Sequence, residues 1–256
     1  MTLSASRFPP EDIRHFEERG YLVARGLADP ALCGRMKALA ADHLARAVPP
    51  VEYEADVGYP GAPVSRAAPG GQTVRRLLQA YARDELFRSW ARSPVLGERL
   101  KQLLGPQVVL SQAHHNCVMT KNPGFSSETR WHQDVRYWSF RRPELVSAWL
   151  ALGREHAGNG CLLVLPGTHT MTFGRELFDD KLFLRADLDE NRELLHTRQA
   201  VELDQGDVLF FHGRLFHAAG DNRTGETKFS PVFTYHAADN PPSSGTRSAS
   251  LPEVMI

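Results

Sequence analysis

The chain has 256 residues, 30 Lys+Arg against 30 Asp+Glu, and a formal net charge of zero. A hydrophobic content of 42% with 23% charged residues is an ordinary globular balance, enough to bury a sizeable core. Zero net charge argues against a protein built to neutralise many phosphates and against a polybasic membrane anchor, so neither nucleic acid nor membrane is an expected partner.

The opening MTLSASRFPP has no apolar run of signal-peptide length, and no later stretch approaches the roughly 20 apolar residues of a membrane span. Pro9-Pro10 precedes a helix over Glu11–Gly20 with Ile13 and Phe16 on one face and a glycine stop. Tyr21–Val23 follows as a short strand. Asp29-Pro30, a cap followed by Pro at the first helical position, opens a helix to about Ala47. The Pro-, Gly- and Ala-rich stretch Val48–Thr73 reads as a long loop, either a functional lid or disordered. Asp84 opens a further helix to about Leu104, which Pro94 breaks or kinks.

From Val108 the period changes. Val108–Thr120, Glu144–Leu152, Cys161–Leu165, Ala200–Leu203, Asp207–His212, His217–Ala219 and Phe229–His236 are short apolar runs separated by Gly, Asn and Asp turns. That spacing predicts an all-β sandwich or jelly roll with an N-terminal helical segment. The charged stretch Gly174–Glu193 reads as a solvated insertion with a helical piece, and residues 241–256 as a loose tail behind a single domain over 1–240. Three widely spaced cysteines, Cys33, Cys117 and Cys161, form neither a disulfide framework nor a zinc knuckle, which points to a reducing cytoplasm.

Eleven histidines are the chemical signal. In Trp131-His132-Gln133-Asp134, an extended strand would project His132 and Asp134 to one face. A second histidine arrives after Gly206-Asp207 and an apolar strand. His212 and His217 compete for the role; His217 is preferred because the strand restarts there, leaving His212 to pack behind. Two imidazoles and one carboxylate on a β scaffold form the facial triad of non-haem Fe(II), with three open positions. Lys228, at the start of the next strand, is placed to pair with the far carboxylate of a dicarboxylate co-substrate.

WHQD, LVSAWLAL, NGCLLVLPGTH and GDVLFFH…FHAAGDNRT, in that order after EDIRHFEERGYLVARGL, resemble the phytanoyl-CoA dioxygenase family of Fe(II)/2-oxoglutarate oxygenases. The resemblance runs from about Glu11 to His236. It implies a double-stranded β-helix (jelly roll, cupin-like) with helices outside, iron on His132, Asp134 and His217, and 2-oxoglutarate and O₂ as co-substrates. It places co-substrate contacts at Trp149, Asn116 and Arg76. Many relatives carry Arg where this chain has Lys228, a departure that trades a planar fork for a point charge; Arg223, close by, is the other candidate anchor. The implied reaction is hydroxylation of a C–H bond in a small molecule; Asp134 disfavours halogenation, while desaturation, epimerisation and ring formation remain open.

Beyond the metal motif, Arg136 or Arg141 is a candidate for an anionic substrate group, with Tyr137 and Trp138 as walls. Between Gln112 and Cys117, alternation puts Gln112, His114 and Asn116 on one face and His115 and Cys117 on the other, and either set would line the site. Two other classes stay open: a non-catalytic cupin-like protein holding a metal or ligand, and a hydrolase or isomerase using the same triad with zinc or nickel.

Overall fold

The computed structural model describes residues 7–256. Helix α1 (Pro10–Arg19) ends on Gly20, whose φ of 80° closes the helix by an N–H donated to Phe16 O, and strand β1 (Tyr21–Ala24) follows. Asp29 caps α2 (Pro30–Ala45) by accepting from the N–H groups of Ala31 and Leu32. Strand β2 (Val51–Tyr53) and the single turn α3 (Glu54–Val57) come next, then β3 (Val74–Leu78) and α4 (Ala80–Arg83). Pro94 does split the helix expected after Asp84. The first part, α5 (Glu85–Ala91), is capped by Asp84; the second, α6 (Pro94–Leu104), starts on the proline itself.

The β region contains β4 (Val108–Lys121), β5 (Thr129–His132), β6 (Leu145–Leu150) and β7 (Leu162–Val164). After helix α7 (Asp189–His196) come β8 (Gln199–Val201), β9 (Val208–His212), β10 (His217–Ala219), β11 (Lys228–Ala237) and β12 (Val254–Met255). They form two antiparallel sheets: β1-β9-β6-β11-β4-β3-β2, with β12 added to β4, and β5-β10-β7-β8. The two sheets enclose an inner core of Trp149, Leu209, Phe211 and Val232 from the larger and Leu162, Val164 and Val201 from the smaller. On the outer face of the large sheet, Met36, Phe87, Trp90, Leu96 and Leu100 of the helices pack on Leu110, Phe210, Phe233 and Tyr235. Covered on both faces, β6 is buried along its whole length, which is why LVSAWL reads as a near-continuous apolar run rather than an alternation. This is the jelly-roll core with flanking helices that the strand spacing predicts.

Three expectations are corrected. Val48–Thr73 is not a structureless loop: its first part adds β2 to the sheet edge, and Glu54, fully buried, accepts from Arg75 Nη1 (3.2 Å) and Ser127 Oγ (2.5 Å). The insertion is not merely solvated, since Phe183, Leu184 and Asn191 are buried. The C-terminal tail is not loose: β12 pairs with β4, Ile256 N–H donates to Val108 O, Ser248 is buried against His114, and Glu253 bonds His236. Its polar composition conceals a two-residue strand and two side chains, Ser248 and Glu253, that satisfy histidine partners. Among the described residues, no helix is long and apolar enough to cross a membrane.

Candidate metal centre

Strands β5 and β10 are antiparallel neighbours, with His132 directly opposite His217. The strand containing His132 ends there. Asp134 opens a short 3-10 turn, Asp134–Tyr137, so it reaches the centre by the chain turning back, not from the next rung of a strand as the spacing suggested. The ligand atoms of His132, Asp134 and His217 all lie within 4.8 Å of one another, and all three residues are buried.

The donor set fits a divalent cation. His132 Nδ1 lies 2.8 Å from Arg130 O and His217 Nδ1 3.1 Å from Leu215 O, so each ring donates there and turns an unprotonated Nε2 inward. Both Nε2 atoms stand 3.7 Å from Asp134 Oδ1, too far for a hydrogen bond. Two ligand atoms each about 2.1 Å from one ion, at tetrahedral to octahedral angles, lie roughly 3.0–3.5 Å apart, so a small contraction closes the set. Burial holds both imidazoles below their ordinary pKa; for His132 its neighbours His217 and Arg136 add to this, whereas for His217 the Asp134 carboxylate opposes it. Burial pushes the Asp134 carboxyl up, but His115, His217 and His132 together hold it well below the usual carboxylate range. Two neutral imidazoles and one carboxylate result, and Asp134 Oδ2 is buried without a hydrogen-bond partner. Iron is the ion this set fits, with three coordination positions left open.

His115 donates from Nε2 to Asp134 Oδ1 at 2.9 Å. Strand β4 brings it there by a bulge: Phe233 pairs with Asn116 but Thr234 pairs with Ser111, leaving Gln112–His115 out of the ladder. The inward set is therefore His115 with Met119, while Gln112 donates to Pro252 O and His114 bonds Ser248 Oγ. Asn116 also faces away. Its side chain accepts from Tyr81 N and donates to Gln112 O, so it anchors α4 to the strand.

Between the sheets, a cavity opens from the triad. Met119, Trp149, Leu162, Phe211 and Ala219 wall it, and Arg75, Arg76, Lys121 and Lys228 supply its cations. Arg75 is held by Glu54 and Arg76 Nε lies 3.4 Å from Glu52. Lys228 Nζ donates to Glu155 Oε2 at 2.9 Å; the same carboxylate accepts from Trp149 Nε1 (3.1 and 3.2 Å) and from Ser230 Oγ (2.6 Å). Arg223 lies outside the cavity, exposed beside Asp221. His212 also lies apart, its Nδ1 accepting from Arg214 N and its ring 5.3 Å from that of His169.

On the other side of the triad, three segments meet. Phe183 of the insertion stands edge to face with His132 (5.9 Å) and with Tyr59 (5.3 Å), and the Arg136 guanidinium stacks on it at 4.1 Å. Arg136 also donates to Lys181 O and Leu182 O. Tyr137 is exposed, its hydroxyl on Lys181 O, and Trp138 stacks on His114 behind the site. Arg141 lies at the C-terminal segment, its N–H on Pro241 O. Of these residues, His115, Glu155, Lys121, Tyr59 and Phe183 escape a motif reading. Only His115 leaves a trace, in the polar run HHN.

The family model for phytanoyl-CoA dioxygenase matches residues 16–230. Human peroxisomal phytanoyl-CoA dioxygenase is 28% identical over 236 residues, covering 87% of this chain and 67% of that protein. Two solved structures share the fold. EctD from S. alaskensis with 2-oxoglutarate and 5-hydroxyectoine has a TM-score of 0.77 at 20% identity, covering 95% of this chain and 80% of that one. The epimerase SnoN with Fe³⁺, α-ketoglutarate and nogalamycin RO has a TM-score of 0.74 at 21% identity, covering 94% and 89%. With the triad and cavity in place, the chain belongs to the phytanoyl-CoA dioxygenase family and is a non-haem Fe(II)/2-oxoglutarate-dependent oxygenase.

Proposed function

We propose that the protein hydroxylates an unactivated C–H bond of a small organic molecule. The observation that carries this is the buried triad with a cavity on one face and an aromatic and basic wall on the other. Bound iron supplies, with 2-oxoglutarate and dioxygen, conversion of C–H to C–OH with release of succinate and CO₂.

The chain's own residues divide the remaining work. His132, Asp134 and His217 would hold the ion, and the His115 hydrogen bond fixes the Asp134 carboxylate. Trp149 and Leu162 line the co-substrate cavity and exclude water, and Arg76 and Lys228 line it as cations. Phe183, Tyr59 and Arg136 form the substrate side. An anionic group on the substrate would rest on the Arg136 guanidinium, with the reacting carbon turned towards His132. Asn116, whose amide is engaged with Tyr81, supports the wall without touching the co-substrate. Three buried free cysteines support a reducing cytoplasm as the compartment.

The test is succinate release from the Fe(II)-loaded protein across a panel of small carboxylic acids, acyl conjugates and amino acids. At least one should stimulate release above the uncoupled level and gain one oxygen by mass. A protein that binds Fe(II) and 2-oxoglutarate yet oxidises nothing would favour a non-catalytic binding role.

A further inference from the structure

Lys121 and Lys228 face each other across β4 and β11 as direct register partners. Both are buried, at 7% and 8% exposure, and both line the cavity that opens from the triad. Like charges directly opposite in a ladder destabilise a sheet, and burial makes the repulsion worse. Among the described residues the pair makes one ion pair, Lys228 with Glu155, whose two oxygens are both engaged, while Glu54 and Asp221 act on Lys121 only from a distance. Lys121 Nζ has only the carbonyls of Ser127 (3.1 Å) and Ala219 (3.5 Å); among the described residues it makes no ion pair. Its pKa is pushed down to about 7, first by burial and then by the charges of Arg75 and Lys228. The chain also makes room for it. Gly160, at φ 73°, lies so close that an added Cβ would stand 2.8 Å from Lys121 Cδ and 2.6 Å from Gly220 O.

We propose that Lys121 and Lys228 together seat the outer carboxylate of 2-oxoglutarate, and that Glu155 is the positioning residue that aims Lys228 and leaves the pair with one net positive charge. This rests on the oxygenase reading above. Two ammonium groups from adjacent strands then take the place of one planar guanidinium fork, each a single point donor. One net charge matches one carboxylate, so the filled cavity is neutral. A 2-oxo acid with a methyl group at that end leaves a buried cation uncompensated, and the seat thereby selects dicarboxylates.

The experiment measures binding of 2-oxoglutarate and of 2-oxopentanoate to the Mn(II)-loaded protein by calorimetry, without turnover. Lys121→Met should weaken 2-oxoglutarate by about tenfold or more, with Mn(II) affinity unchanged. Lys121→Arg should restore most of the loss, and 2-oxopentanoate should bind Lys121→Met more tightly than wild type, because no cation is then left uncompensated. Glu155→Gln, which leaves two uncompensated cations, should narrow the preference for Mn(II)-bound 2-oxoglutarate over its mono-anionic analogue less than Lys121→Met does. Unchanged 2-oxoglutarate affinity in Lys121→Met, with only thermal stability lowered, would overturn the proposal and leave Lys121 a tie between the two carbonyls. If wild type binds Mn(II) but not 2-oxoglutarate, the co-substrate assignment itself fails.

Discussion

Glu155→Ala is the sharpest perturbation of the inner core. Glu155 is 1% exposed, and its carboxylate accepts from Lys228, Trp149 and Ser230. Removing one partner of a buried pair strands the other charge, at about 3–5 kcal/mol. The Trp149 N–H and Ser230 hydroxyl lose their acceptor as well, though a water entering the vacated space offsets part of that loss. A destabilisation of about 4 kcal/mol, at ~2–4 °C per kcal/mol in a chain of this size, lowers the melting midpoint by about 8–16 °C. The measurement is circular dichroism of the metal-free protein in heat and in denaturant. The double variant Glu155→Ala/Lys228→Met should recover at least half of the loss, because the stranded ammonium is gone. A single-variant loss under about 1 kcal/mol, or no recovery in the double variant, would refute the account of Glu155 as the counter-charge of a buried lysine.

Other outcomes follow from the same geometry. His217→Ala should abolish Fe(II) and Mn(II) binding in equilibrium dialysis, while His212→Ala, whose ring accepts from Arg214 N and packs beside His169 away from the triad, should retain it. Burial pushes His114 and His212 down to about 3 in the folded protein, whereas unfolded histidine titrates near 6.5. The unfolded chain therefore binds more protons below pH 6.5, so stability is complete above that pH and falls as acid is added. Each group contributes up to about 1.4 kcal/mol per pH unit. Denaturant midpoints of the metal-free protein at pH 7, 6 and 5 should decline, and a flat profile would contradict the neutral, buried state. Asp29→Ala removes the cap accepting from Ala31 and Leu32 and should cost about 1 kcal/mol without altering metal affinity.

Much of this was legible along the chain because it depends on local chemistry. Asp29-Pro30 starts a helix, and Pro94 breaks the one that Asp84 opens, through the backbone geometry of a few adjacent residues. The apolar runs from Val108 onward mark strands because a sheet covered on both faces selects for continuous burial. His132, Asp134 and His217 could be singled out because a metal ligand must be one of few residue types. Asn116 and His115 show the limit. Alternation assigns their faces only while the ladder is regular, and the bulge at Gln112–His115 resets it.

What the sequence alone determined is the order of elements, the jelly-roll class and the residue types that can hold iron, since propensity, capping and donor chemistry are properties of short segments. Tertiary structure alone decided which charges face each other. Lys228 meets Glu155, 73 positions away, and Lys121 meets the carbonyls of Ser127 and Ala219. Their energies depend on distance and burial in the folded chain, and neither quantity is written in the spacing of residues along it.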